Sequence, residues 1–442
     1  MLILAWRSVR QRPGQFTATL LAAWLGAVII MLFNSLHDTA ASAGVDAASA
    51  ESLHLTGGVV GGYGTLLVFL AIASTLTVTV RQRGEELSLL RHIGATPGQI
   101  RTMVIGEASL IGLAGTLLAV WPAILGGRLL LDRFQETGQV ADGVDHTFGP
   151  IVAGAGSAVM LLACTGAAAV AVRRAGRAPG RRPRQRGRLA AGALSLAAGI
   201  AGVGATFGMQ ATDSALMAAP AYGSILLAAG LAVFSPYLLR ALLRPMGPVL
   251  IRVFGGGGHL AVLNTRERAA ELSAVLMPLV LFTGLATATL YLQAVESDAI
   301  RAAGIRRSVE DTNLETLNFT VVGIIAGFAC LMLINSLYSA TTYRRREFGQ
   351  QRLAGATPAQ VLSMVGCETV LVTVTGVVFG TLAGAAGVVA FAAVRTDDPD
   401  PGQGPWIWLG VVALCTAATA TTTLVTARRV SGVPAVHAVA AA

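Results

Sequence analysis

Two stretches of this chain match each other in their polar residues, and each leads into an apolar run of membrane length. The first is Arg91-His92-Ile93-Gly94-Ala95-Thr96-Pro97-Gly98-Gln99-Ile100, with Glu86 before it and Met103 and Glu107 after. The second, 261 positions on, is Arg352-Leu353-Ala354-Gly355-Ala356-Thr357-Pro358-Ala359-Gln360-Val361, with Glu347, Met364 and Glu368 at the same offsets. Apolar sequence repeats easily by chance. Arg, Gly-Ala-Thr-Pro, Gln and Glu held in one register do not. The chain therefore reads as an internally duplicated membrane protein whose repeat includes a polar device at the membrane surface.

Hydrophobic residues make up 54% of the chain and charged ones 12%, which disfavours a soluble globular class. A hydrocarbon core about 30 Å thick needs roughly 20 apolar residues per helix. Ten stretches qualify, near 14–36, 57–80, 104–127, 149–172, 189–209, 217–239, 272–295, 317–340, 369–394 and 405–427. The expected fold is an all-α polytopic membrane protein with about ten transmembrane helices. Two homologous four-helix units, 1–172 and 259–442, are joined by a basic linker, 173–188, and by two central helices within 189–258. Basic, partly apolar segments lead each unit, Ala5–Arg10 and Ala261–Arg266, and read as short helices in the membrane interface.

The chain has no lysine, so its 32 basic residues are all arginine. With the N-terminus in the cytoplasm, 26 of these arginines fall in cytoplasmic segments and six outside, so both termini are expected to be cytoplasmic. The densest block, Arg173 to Arg188, links two spans and reads as retention and contact with anionic lipid, not as a nucleic-acid patch. The first apolar run is too long for a signal-peptide core of about 7–15 residues, so it is expected to remain as a helix. Cys164, Cys330, Cys367 and Cys415 are isolated within or beside apolar runs, the pattern of small core residues. His37, His54 and His146 each edge an external loop singly and read as solvated. The lack of lysine also points to a GC-rich bacterial genome. External loops, the longest being 37–56 and 296–316, are shorter than the ~50 residues that a folded domain needs.

Between the second and third spans, Leu87, Leu90 and Ile93 recur at threes and form one face of a short helix on the bilayer, with Arg83, Glu86 and Arg91 turned to water. Gly94 ends that helix. Thr96-Pro97-Gly98-Gln99 then has the form of a capping box, with Thr as N-cap, Pro first and Gln third. Thr357-Pro358-Ala359-Gln360 repeats it behind Gly355. Each loop thus encodes a surface helix, a glycine stop and a freshly capped spanning helix. Two such elbows on a pseudo-twofold bundle imply a partner made of two similar subunits. Glu107 and Glu368 lie eleven residues past the capping Thr, about 16 Å along the helix. They read either as buried polar contacts that transmit motion or as interfacial carboxylates paired with an arginine such as Arg101.

The pattern Arg-x-x-Glu-x-x-x-x-Arg-x-x-Gly-Ala-Thr-Pro-x-Gln, followed by Met and Glu, resembles the permease domain of FtsX-like ABC transporters, a group with MacB-type efflux and lipoprotein-releasing permeases. Two such units plus two central helices are similar to the Bce-type permeases of antimicrobial-peptide resistance. The resemblance implies a homodimeric or paired ATPase docking on loops 81–97 and 343–358. Its coupling residues would be Arg83, Glu86, Arg91, Gly94, Ala95, Thr96 and Pro97, and Arg344, Glu347, Arg352, Gly355, Ala356, Thr357 and Pro358. ATP and Mg²⁺ would reside on that partner, because a Walker A loop needs a lysine that this chain lacks. The expected function is export or extraction of an amphiphilic peptide, lipid or drug across the cell membrane, with no cofactor, metal or catalytic residue on this chain. A secondary transporter with internal repeats is the rival reading, though no ionisable residue falls at mid-span. An FtsX-type regulator of a wall hydrolase that moves no solute is another.

Overall fold

In lipid a backbone must satisfy its own hydrogen bonds, so long apolar runs become helices. The structure, a computed structural model, describes residues 7, 13–175, 185–211, 216–302, 309–342, 344–432 and 434. Among these residues there is no strand. In the first unit α1 spans Pro13–Ala40, α2 Ala47–Gln82, α3 Gly84–His92, α4 Pro97–Glu136 and α5 Ser157–Ala175, the last entered through a π-helical turn at Val152–Gly156. The central helices are α6, Gln185–Thr206, and α7, Ala218–Glu267. The second unit holds α8 Ala269–Ala302, α9 Val309–Thr342, α10 Arg345–Leu353, α11 Pro358–Arg395 and α12 Trp406–Ser431.

Among the described residues eight helices are long and apolar enough to cross a membrane: α1, α2, α4, α6, α7, α8, α11 and α12. The other two apolar stretches also lie in helices. The fourth stretch holds only a short apolar segment, Gly154–Ala169, which begins within the π turn, and in α9 the side chains of 309–322 lie outside the described residues. The protein is therefore all-α and polytopic, with eight candidate spans where the sequence suggests about ten.

Both units pair their helices in the same way. α1 packs on α2 and α4, and α5 closes against α2 and α4; α8 packs on α9 and α11, and α12 closes against α9 and α11. Small residues set these spacings. At Gly380 an added Cβ would lie 2.6 Å from Thr283 Cβ and 3.0 Å from the Gly284 nitrogen, so α8 and α11 touch backbone to backbone. The central helices do not divide evenly: α7 lies against both α8 and α11, while it meets the first unit mainly where the Tyr222 hydroxyl donates to the Val59 carbonyl at 3.3 Å. Asn335 Nδ2 donates to the Ala18 carbonyl at 2.8 Å and ties α9 to α1.

At the end of the bundle away from the short helices α3 and α10, Asp38 accepts backbone N–H groups of Gly149, Ile151 and Val152, capping the chain's entry to α5. Arg395 grips Glu296 through two bonds of 2.7 and 2.8 Å. The histidines there are not single. His37 and His54 share a hydrogen bond between their Nδ1 atoms at 2.9 Å, and His146 Nε2 lies 3.1 Å from Ser35 Oγ. Cys164, Cys367 and Cys415 are buried thiols and Cys330 is half-buried, all four free.

Candidate functional site: two matching elbows

Each elbow begins at an arginine just past the end of a long helix. Arg83 follows α2, and Arg344 precedes α10; each is the N-cap of a nine-residue surface helix. The helices end in one hydrogen-bond pattern. Gly94 N–H donates to the Arg91 carbonyl and Ala95 N–H to that of Leu90; Gly355 and Ala356 repeat this onto Arg352 and Gln351. That is a Schellman stop. It requires positive φ, and Gly94 and Gly355 stand at 98° and 99°. Two residues on, Thr96 and Thr357 cap α4 and α11: each Thr Oγ1 accepts from the Gln backbone N–H at 3.2 Å, and each Thr backbone N–H donates to the Gln Oε1 at 2.9 Å. Pro97 and Pro358 open the helices, where a missing N–H costs nothing.

The carboxylates close each elbow. Arg83 donates to Glu107 from Nη1 at 2.5 Å and from Nη2 at 3.3 Å, and from Nε to Glu86 at 3.2 Å. Arg344 donates to Glu368 at 2.5 and 3.3 Å, and to Glu347 from Nε at 3.0 Å and Nη2 at 3.1 Å. Each guanidinium also lies on a buried phenylalanine ring, Arg83 on Phe16 at 5.3 Å and Arg344 on Phe348 at 5.1 Å. One arginine thus pins the surface helix, through Glu86 or Glu347, to the spanning helix, through Glu107 or Glu368. The second clamp reaches further. Arg268 pairs with Glu347, and Asn264 Nδ2 donates to Glu368 at 2.9 Å and to Glu347 at 3.4 Å.

Burial alone would lower the affinity of these guanidiniums for their protons. Glu107 and Glu86 outweigh it at Arg83, and Glu368 and Glu347 at Arg344, so both arginines titrate above their ordinary value. At Glu347 burial pushes upward, and the hydrogen bonds and charges of Arg344, then Arg268, overcome it and hold the carboxyl at about 2.

Three expectations need correction. Glu107 is paired with Arg83, not Arg101, which is exposed. Arg83 does not face water: only 11% of its side chain is exposed. The face made by Leu87, Leu90 and Ile93 does not hold either. Leu87 is buried and Leu90 half-buried, but Ile93, past the last turn of α3, is exposed. Arg91 is half-buried, and Arg352 donates to the Ser431 carbonyl at 2.7 Å, anchoring α10 to the end of α12. Ala95 and Ala356 are half-buried in the bends, while Thr96, Pro97, Thr357 and Pro358 are exposed. Leu89 and Ile93 on the first elbow and Leu353 on the second are 65%, 80% and 57% exposed. Sequence reasoning does not single out Leu89 and Leu353, whose signal is an apolar residue on the polar side of a short helix, and it places Ile93 on the apolar face.

Among the described residues no group of three or more His, Cys, Asp or Glu is placed to hold a metal. The fold and the paired elbows define a polytopic membrane protein with two matching bends at one end of its bundle. The family model of the FtsX-like permease C-terminal domain matches residues 58–179 and 319–435, together more than half of the chain, and each segment contains one elbow. The chain belongs to the FtsX-like permease family, and it is a permease-type membrane protein. A comparison with curated proteins finds no match.

Proposed function

We propose that this chain is the membrane subunit of an ATP-binding-cassette transporter of the cell membrane, with its elbows and both termini in the cytoplasm. A separate pair of ATPase subunits holds ATP and Mg²⁺. Their closing and opening drives export or extraction of an amphiphilic cargo, such as a peptide, lipid or drug, in the manner of antimicrobial-peptide resistance. The observation that carries this reading is the duplicated clamp: one arginine, two carboxylates and one Schellman–capping-box bend in each unit, with the arginine bonds to Glu107 and Glu368 at the same distances. A plain connector needs no such clamp. A lever does, because a push on α3 or α10 must move α4 or α11 and not merely bend the joint. The arginine-rich balance of the elbow side supports its cytoplasmic orientation.

Glu86 and Glu347 serve the clamps, so the docking surface falls to the exposed apolar residues Leu89, Ile93 and Leu353. Replacing all three with Asp should abolish co-purification of the ATP-binding-cassette subunit that the native chain captures while leaving the chain's melting temperature unchanged. Undiminished co-purification would sink the reading.

A further inference from the structure

α7 is longer than a span. From Ala218 to its kink at Gly255 (φ 55°, ψ −127°) it has length for about 55 Å, against a hydrocarbon core of about 30 Å. Beyond the kink the chain folds back, with Gly258 against the Leu250 carbonyl, and runs to the clamp residues Asn264 and Arg268. The extension carries Val249, Val253, Phe254, Leu260 and Leu263 exposed, interleaved with exposed Arg240, Arg244, Arg252 and Arg266. Large apolar residues alternating with arginine along one segment are the composition of a chain seated in a membrane interface, with the arginines reaching the headgroups.

Between this folded-back segment and the second elbow lies a groove of about 950 Å³, near the upper end for ligand sites. Ile251, Phe254, Leu260 and Leu263 line one wall with His259, and Gln360, Ser363 and Met364 line the other. α11 is also longer than the bilayer core, so these last three, in its first two turns, fall at headgroup depth. We propose that this groove binds one anionic glycerophospholipid, with acyl carbons along Phe254, Leu260 and Leu263 and its phosphate towards His259 and towards exposed Arg252, the residue after the lining Ile251. The charge around the groove favours the anion: four exposed arginines stand on the segment, with Arg252 and Arg266 next in sequence to the lining residues Ile251 and Glu267, against one exposed acid, Glu267, which itself lines the groove. Ala356 and Gln351 of the elbow share the wall, so the lipid would brace the second elbow.

The inference needs no ATPase and can be tested without one. The purified chain is placed in phosphatidylcholine nanodiscs containing a trace of phosphatidylglycerol with a photoreactive acyl chain, or the same probe on phosphatidylcholine, and labelled peptides are mapped. Phosphatidylglycerol should label 249–263 and 356–364 at least about fivefold more than the choline probe, since one cation at an anionic surface is worth about that factor. Both probes should label the lipid-facing Leu117–Trp121 stretch of α4 equally. Arg252→Gln should lower the preference about fivefold, and Leu260→Asn with Leu263→Asn should remove the labelling; all three positions are exposed, so the fold survives. Equal labelling of the groove by the two probes would reduce it to ordinary boundary lipid. Labelling no stronger than on α4 would overturn the site.

Discussion

A carboxylate buried beside a guanidinium contributes little as a pair, yet removing one partner leaves an uncompensated charge. Glu107 and Glu368 are 2% and 4% exposed, so truncation should be felt. Glu107→Ala or Glu368→Ala should destabilise the protein by about 3 kcal/mol, the low end for a broken buried pair because Glu86 and Glu347 remain as partners. Thermal melting in detergent checks this, with Arg101→Ala as control. Arg101 is exposed and should change stability by less than about 0.5 kcal/mol; equal losses from Arg83→Ala and Arg101→Ala would undo the assignment. Glu347 adds a pH signature. Its carboxyl is held at about 2 against an ordinary 4.5, a depressed acid, so its contribution is complete above pH 4.5 and is lost as pH falls towards 2. The shift corresponds to about 3 kcal/mol. The melting-temperature gap between the native chain and Glu347→Gln should therefore be flat from pH 8 to 5 and close below 4.5. A gap that closes nearer neutrality would show that another group carries the effect.

At the scale of the element, the elbow was legible in the sequence and its clamp was not, for a physical reason. Gly94, Thr96, Pro97 and Gln99 act through their own backbone neighbours, so order along the chain specifies the bend. The bond from Arg83 to Glu107 spans 24 residues and depends on how α2 and α4 come together around that bend. Arg81, Arg83, Arg91 and Arg101 all lie within reach of the same stretch of sequence, and nothing in their order selects among them. Surface exposure failed similarly: periodicity describes a helix alone, whereas Ile93 lies past its last turn. The bend should be stiff in proportion to its backbone. Gly94→Ala and Gly355→Ala each force a side chain into the left-handed region at about 1–2 kcal/mol, and Thr96→Ala removes a cap worth about 1 kcal/mol. Gly94→Val with Gly355→Val goes further and, on the proposed function, should leave the protein inserted while the proposed ATPase hydrolyses ATP without cargo moving. Unchanged transport in that variant would count against the elbows as levers.

For the whole molecule, the duplicated units look equivalent in sequence, yet the central helices make them unequal. Contacts between small residues carry no polar signature, so the affinity of α7 for one unit could not be read from apolar runs alone. Gly387 on α11 approaches the Pro220 carbonyl, where an added Cβ would lie at 2.7 Å, and Ala228 of α7 meets Gly284 of α8 at 3.3 Å by the same measure. α7 thus covers the groove between α8 and α11, and α6 packs on α7. The mechanical unit on that side has six helices spanning or lining the bundle, against four on the other. This predicts where the chain tolerates a cut. Co-expressed fragments 1–180 and 181–442 should reassemble, because the break leaves α7 seated on its own unit and the interface made by Asn335 and Ala18 intact. Fragments 1–268 and 269–442 should not, because the second would expose the glycine faces of α8 and α11 and lose Arg268 from the second clamp. Recovery of a single monodisperse species on size-exclusion chromatography distinguishes the two. If the cut at 268 were tolerated and the cut at 180 were not, the central pair would belong to the first unit, and the second elbow would lose its claim to be the better braced of the two.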